Sequence, residues 1–178
     1  DPETLEAVSS GINDETAPKW SIITYHFPKL GKRKAVKVTW YDGGKKPDPA
    51  LARQKELPGN GSILIGSKDT LYIPMYWGKG TFLSGATVAD HKDVPETIEK
   101  PADFNRHHYL EWIDACKGGK PAWSNFDYAG PMTEAMLLGL VALRSGKKIE
   151  WDAKKMRVKN VPEANRFIHS EYRKGWVL

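Results

Sequence analysis

Apolar positions follow two periods along this chain, a spacing of two in the first half and one of about 3.6 in the second. From Trp20 to Phe27, Trp20, Ile22, Thr24 and His26 alternate with Ser21, Ile23, Tyr25 and Phe27, the signature of a strand with two partly apolar faces. Between Ala35 and Tyr41, Val36, Val38 and Trp40 share a face opposite Lys37, Thr39 and Tyr41, and Pro28 to Arg33, with Gly31, closes the two segments into a hairpin. Thr4 to Ser9 reads as a further strand, followed by a loop from Gly11 to Lys19. Ser62 to Gly66 and Thr70 to Pro74 form a second strand pair around the Ser67-Lys68-Asp69 turn, with a short strand near Thr81 to Leu83. Lys45 to Asn60, with three prolines, is a long excursion of the kind that serves function or faces a partner.

The period changes at Asp103. Tyr109, Trp112, Ile113 and Cys116 stand at i, i+3, i+4 and i+7, predicting an amphipathic helix with Asp103 as N-cap and Gly118-Gly119 as its stop. A second helix is expected from Pro131, placed at a first helical position, to Leu143, ended by Gly146. Its apolar residues cover nearly the whole circumference, so it should be central and buried on most sides. Lys147 to Trp151 alternates as a strand, Pro162 to Tyr172 reads as a short surface helix, and Trp176-Val177-Leu178 is an apolar tail. Strands first and helices afterwards predict an α+β fold in one domain over residues 1–178. Its architecture is an open, mostly antiparallel sheet with helices packed on one face and the other face available to a partner domain or a second copy. Trp20 and Trp40 are expected on that uncovered face.

Composition narrows the functional classes. The formal net charge of +5 is spread over separate lysine and arginine groups with no nucleic-acid module around them, so the basic residues read as a solvated surface and no nucleic acid is expected. No apolar run reaches the roughly 20 residues of a membrane span, and no membrane partner is expected. The single cysteine, Cys116, excludes an internal disulfide and a multi-cysteine zinc site, and reads as a small core residue. The first residue is Asp1 and strand-like sequence follows at once, which predicts an upstream part and leaves the compartment open.

Cofactor and catalytic motifs are missing. Gly59-Asn60-Gly61 and Gly78-Lys79-Gly80 each lack the third glycine and the helix of a dinucleotide fingerprint and read as turns. There is no Walker loop, no nucleophile elbow and no paired-histidine metal helix, so neither a catalytic, a metal-binding nor a cofactor-binding residue is assigned within the chain. Three residues stand as candidates for lining a substrate pocket: Tyr41, Asp42 and His107. Tyr41-Asp42-Gly43-Gly44 places a phenol and a carboxylate at a strand end, and Asp42 reads first as a turn residue bonded to its own backbone, second as a pocket carboxylate. His107 and His108 diverge by about 100° on a helix and cannot share a metal, so one is expected to pack and the other to face solvent. His26 reads as a satisfied sheet histidine, and Asn125 and Asp127 as helix-capping residues.

Three segments together carry a resemblance. Trp40 to Gly44, His108 to Pro121, and Ser124 to Asp152 with the later Pro162 to Arg166 and Tyr172 to Trp176 resemble the C-terminal α/β domain of the Gfo/Idh/MocA oxidoreductases, in the bacterial subgroup common in Planctomycetes and Bacteroidetes. The resemblance covers nearly the whole chain. It implies an N-terminal Rossmann domain that binds NAD(P) and carries a catalytic lysine, with an acid/base aspartate and histidine on a helix before the matched region. It further implies a sugar or polyol substrate and a homo-oligomer built through the open sheet face. None of those catalytic motifs falls on this sequence, so hydride transfer by the chain alone is not expected. The alternative, of a different class, is a stand-alone carbohydrate-binding or protein-interaction domain without redox activity.

Overall fold

The computed structural model describes residues 1–75, 79–95, 97 and 106–176. In chain order these form β1 (Thr4–Ser9), β2 (Ser21–Phe27), β3 (Val36–Tyr41), β4 (Ser62–Ile65), β5 (Thr70–Ile73), β6 (Thr81–Phe82), α1 (His107–Cys116), α2 (Phe126–Ser145), β7 (Ile149–Asp152) and β8 (Arg157–Val158). Turns of 3₁₀ helix lie at Pro49–Ala52, Val88–His91 and Pro162–Phe167. The architecture is α+β. Residues divide into two compact units, Asp1–Lys45 with Glu111–Leu178, and Lys46–Leu110.

The larger unit is built on an open antiparallel sheet of five strands in the order β3-β2-β1-β7-β8. Its register follows from the alternation in the sequence. Leu5 pairs with Tyr25 and with Ile149, Ala7 with Ile23, and Trp151 with Val158, so these side chains share one face. Onto that face α2 brings Leu138 and Ala142, and the turn at Pro162–Phe167 brings Ala164, with Val161 just before it. Leu5, Ala142, Ile149 and Ala164 have no exposed surface at all. Burying Leu5 and Ile149 contributes about 1.5–3 kcal/mol each, and the alanines let the elements approach closely, so the face is where this unit's stability resides.

The helix meets the sheet closely because of one glycine. A Cβ placed on Gly139 would fall on the Tyr25 hydroxyl and press against Ile23, whereas one placed on Gly130, two turns earlier, would meet nothing. Asn165 closes the other side of the core: its side chain accepts from the Val158 amide at 2.8 Å and donates to the Val158 carbonyl at 3.1 Å. The expected surface helix at Pro162 is thus a 3₁₀ turn, held by a buried strand end that it completes. The two-residue strand β8 carries too little alternation to be read from sequence.

Three expectations for the helices need correction. First, α2 begins at Phe126, because the Asn125 side chain accepts from the amides of Asp127 and Tyr128 at 3.0 and 3.3 Å and caps the helix there, leaving Pro131 inside the second turn. Its end is as expected, with Gly146 at φ +63° accepting the left-handed conformation. Second, α2 is buried along one side only: Met132, Met136, Leu137 and Leu140 remain about half exposed. Third, the apolar stripe of α1 does not enter a core. None of its residues is buried, Trp112 is 64% exposed, and Cys116 lies at the surface. The proposed N-cap Asp103 lies outside the described residues, as do Val177 and Leu178 of the tail; Trp176 is exposed.

In the smaller unit β4, β5 and β6 form an antiparallel sheet whose Tyr72 packs with Ala52 and Leu57. The excursion after Lys45 is therefore an ordered cover. Asp48 caps its 3₁₀ turn by accepting from the Ala50 amide, Lys46 donates to the Leu57 carbonyl at 2.6 Å, and Arg53 donates to the Leu83 carbonyl at 2.7 Å. Asp69, in the β4–β5 turn, accepts from the Ser84 hydroxyl and from the amides of Thr70 and Ser84. The Ser84 hydroxyl is the main reason its carboxyl is held below the usual aspartate range.

Two outcomes follow from this packing. Gly139→Ala should destabilise the fold, because the added methyl meets Tyr25, while Gly130→Ala should stabilise it by up to about 1 kcal/mol through helix propensity. Denaturant unfolding of the two variants checks the opposite signs. Because the folded pKa of Asp69 is lowered, its contribution to stability is present above the unfolded aspartate value and lost as pH falls through the folded one. An NMR titration should place the Asp69 midpoint below the usual aspartate range, and Ser84→Ala should move it upward.

Candidate functional site

The opposite face of the large sheet receives none of the core. By register it carries Thr4, Glu6, Thr24, His26, Lys37 and Thr39, and at one end the cross-strand row Val8, Ile22 and Tyr41. Glu6 and His26 approach at 3.7 Å, both partly exposed. This face is more polar than expected. Trp40 does not belong to it: its partner is Ile23, which puts Trp40 on the helix-bearing face, beyond the cover of α2 and 57% exposed. The expectation failed because the hairpin register, not the alternation within each strand, decides which of two strands' faces coincide.

At the Val8–Ile22–Tyr41 end the sheet runs into the Tyr41-Asp42-Gly43-Gly44 turn. The Asp42 amide donates to the Ser21 carbonyl at 2.9 Å, and its carboxylate Oδ1 accepts from the Gly43 amide at 2.7 Å. The turn role expected of Asp42 is therefore present. Gly43 sits at φ +64°, and a Cβ there would overlap the backbone of Lys19 and Trp20, so no other residue fits. Beside it the Lys45 ammonium lies 4.5 Å from the centre of the Trp20 ring. Half-buried Trp20 and Tyr41, the Asp42 carboxylate and the Lys45 cation thus gather at one sheet end. Aromatic planes that meet C–H surfaces, beside groups that pair with hydroxyls, can hold a polyhydroxylated ligand.

Tyr41 and Asp42 are brought to this end together, and His107 belongs to the smaller unit. There it opens α1 half-buried, while His108 is exposed with its ring 3.8 Å from that of Tyr109. Trp20 and Lys45 were not singled out by sequence. The hairpin that places Lys45 beside Trp20 was legible, but a pairing across the turn needs its register.

A concavity runs along α2. It is a groove of about 600 Å³ between the helix and the turn at Pro162–Phe167, with Phe126, Leu137 and Phe167 on its walls and Trp151 in its floor. The Trp151 indole donates to Glu134 Oε1 at 3.0 Å, and the Arg144 guanidinium lies 4.4 Å from the Phe167 ring centre. No sequence pattern announced it, because its walls come from segments brought together only by the fold.

Among the described residues no group of three or more acidic, histidine or cysteine side chains is arranged to hold a metal, and no helix is long and apolar enough to cross a membrane. A dinucleotide pyrophosphate does not fit the N-terminus of α2, where Asn125 occupies the amides and Asp127 places a negative charge in the first turn. Comparison with protein-family models and with curated proteins finds no match to this chain.

Gly43→Ala should cost on the order of 1–3 kcal/mol from backbone conformation alone, with the steric overlap adding to it. Gly44→Ala, where nothing lies within 4 Å, should cost less despite its own positive φ. Thermal unfolding of both variants measures the difference.

Proposed function

We propose that the chain is the substrate-binding and oligomerisation domain of an NAD(P)-dependent oxidoreductase acting on a sugar or polyol. In this reading a Rossmann domain is its partner and supplies the cofactor site. The observation that carries it is the one-sided sheet: five hydrogen-bonded strands with the larger unit's core on one face and a row of exposed and half-exposed residues on the other. The resemblance to the C-terminal domain of the Gfo/Idh/MocA oxidoreductases supports it, since there such a face walls the substrate pocket and joins subunits. Here Tyr41 and Asp42 line the sugar side, with Trp20 offering its ring and Lys45 its cation. Hydride transfer needs the nicotinamide held in near-attack geometry against the substrate carbon, and that geometry comes from the Rossmann partner. The aromatic pair Trp20 and Tyr41 equally suits the second reading, a carbohydrate-binding module without redox chemistry.

Titration of the chain with a panel of hexoses and polyols, followed by NMR, tests the shared part. Shifts are expected at Trp20, Tyr41 and Asp42, and Asp42→Asn should weaken binding about tenfold, the loss of one charge-assisted hydrogen bond. Turnover of any of these substrates by the chain alone with NAD(P) would overturn the first reading. Shifts confined to other surfaces would overturn both.

A further inference from the structure

We propose that two copies of this chain associate by docking α1 of each into the α2 groove of the other, a contact separate from the open sheet face and independent of the function proposed above. On the outer side of α2, Phe126, Gly130, Thr133, Leu137, Leu140 and Arg144 follow one another at steps of four, three, four, three and four residues. That is the spacing with which one helix receives another along its length. The small residues Gly130 and Thr133 let a neighbouring backbone approach, and Phe126 is 91% exposed. From Phe126 to Arg144 the stripe spans about 27 Å, enough for a ten-residue helix of about 15 Å.

The chain itself contains the helix that fits. Trp112, Ile113 and Cys116 form an exposed apolar stripe on α1, flanked one turn after Ile113 by the exposed Lys117. The groove contains the matching charge. Glu134 is a half-buried carboxylate bonded to the Trp151 indole, and no lysine or arginine among the described residues pairs with it. With the helices antiparallel, Lys117 comes to the Glu134 level while Trp112 and Ile113 lie along Leu137 and Leu140. Exchange around a two-fold axis forms the contact twice. Trp112 and Phe126 each carry about 150–250 Å² of surface, so these two side chains supply about 600–1,000 Å² of the doubled contact, and Ile113, Leu137 and Leu140 must bring it to the roughly 1,200 Å² at which specific interfaces begin.

Sedimentation equilibrium of the full chain from about 5 to 500 μM tests the proposal. A dimer is expected. Trp112→Ala and Leu137→Asp, both at exposed positions, should each weaken it at least tenfold, and mixing the two variants should restore association, because one intact helix then meets one intact groove. Lys117→Glu should weaken the dimer and Lys117→Glu with Glu134→Lys should recover it. Alkylation of Cys116 should slow as the dimer forms. A monomer throughout this range overturns the proposal, and so does a monomer with Cys116 already shielded, which would place α1 on its own groove. A dimer indifferent to these variants but broken by Ile22→Lys overturns it as well and assigns association to the sheet face instead.

Discussion

The rest of the larger unit depends on the packing of Leu138, Gly139 and Ala142 of α2 against Leu5, Ile23 and Tyr25. Because strand side chains alternate with a period of two, seating the helix on these residues assigns every other residue of β1 and β2 to the opposite surface. A slip of one residue would put Glu6, Thr24 and His26 under the helix and Leu5 and Ile23 in water. The core and the exposed face are therefore one decision, made by the same alternation. Without a side chain at position 139 the helix can lie close enough for Leu138 and Ala142 to reach the floor.

Local patterns with short memory were legible in the sequence. The alternations in β1, β2, β3 and β5 and the glycine ending α2 all reflect neighbours along the chain, and they lie where expected. What was misread depended on the partner of an element. The stripe on α1 has the period of a core face, and periodicity alone does not distinguish a face buried in the same chain from one left for another. Cys116 followed that stripe to the surface. Trp40 was misplaced because pairing with Ile23, rather than alternation within β3, fixes its side of the sheet. The start of α2 moved because an asparagine that satisfies two amides outweighs a proline's preference for a first helical position.

The candidate site divides the same way. Tyr41 and Asp42 were legible as a strand end followed by glycines, and the bond from the Gly43 amide to Asp42 is the turn chemistry those residue types favour. Trp20 and Lys45 join them only through the folded hairpin. The α2 groove draws on residues from 126 to 168 and had no signal of its own. Among the described residues, exposed apolar side chains include Met132, Met136, Leu137 and Leu140 on α2, Tyr109, Trp112 and Ile113 on α1, and Val36, Val38 and Trp40 on β3.

The sheet is built to have one dry face and one accessible face. A soluble paramagnetic relaxation agent, added to the dilute chain while side-chain NMR signals are followed, measures this directly. Strong broadening of Val8, Thr24 and Tyr41 with none at Leu5, Leu138 and Ile149 is the predicted result. Equal protection of both sets in the dilute monomer would contradict it.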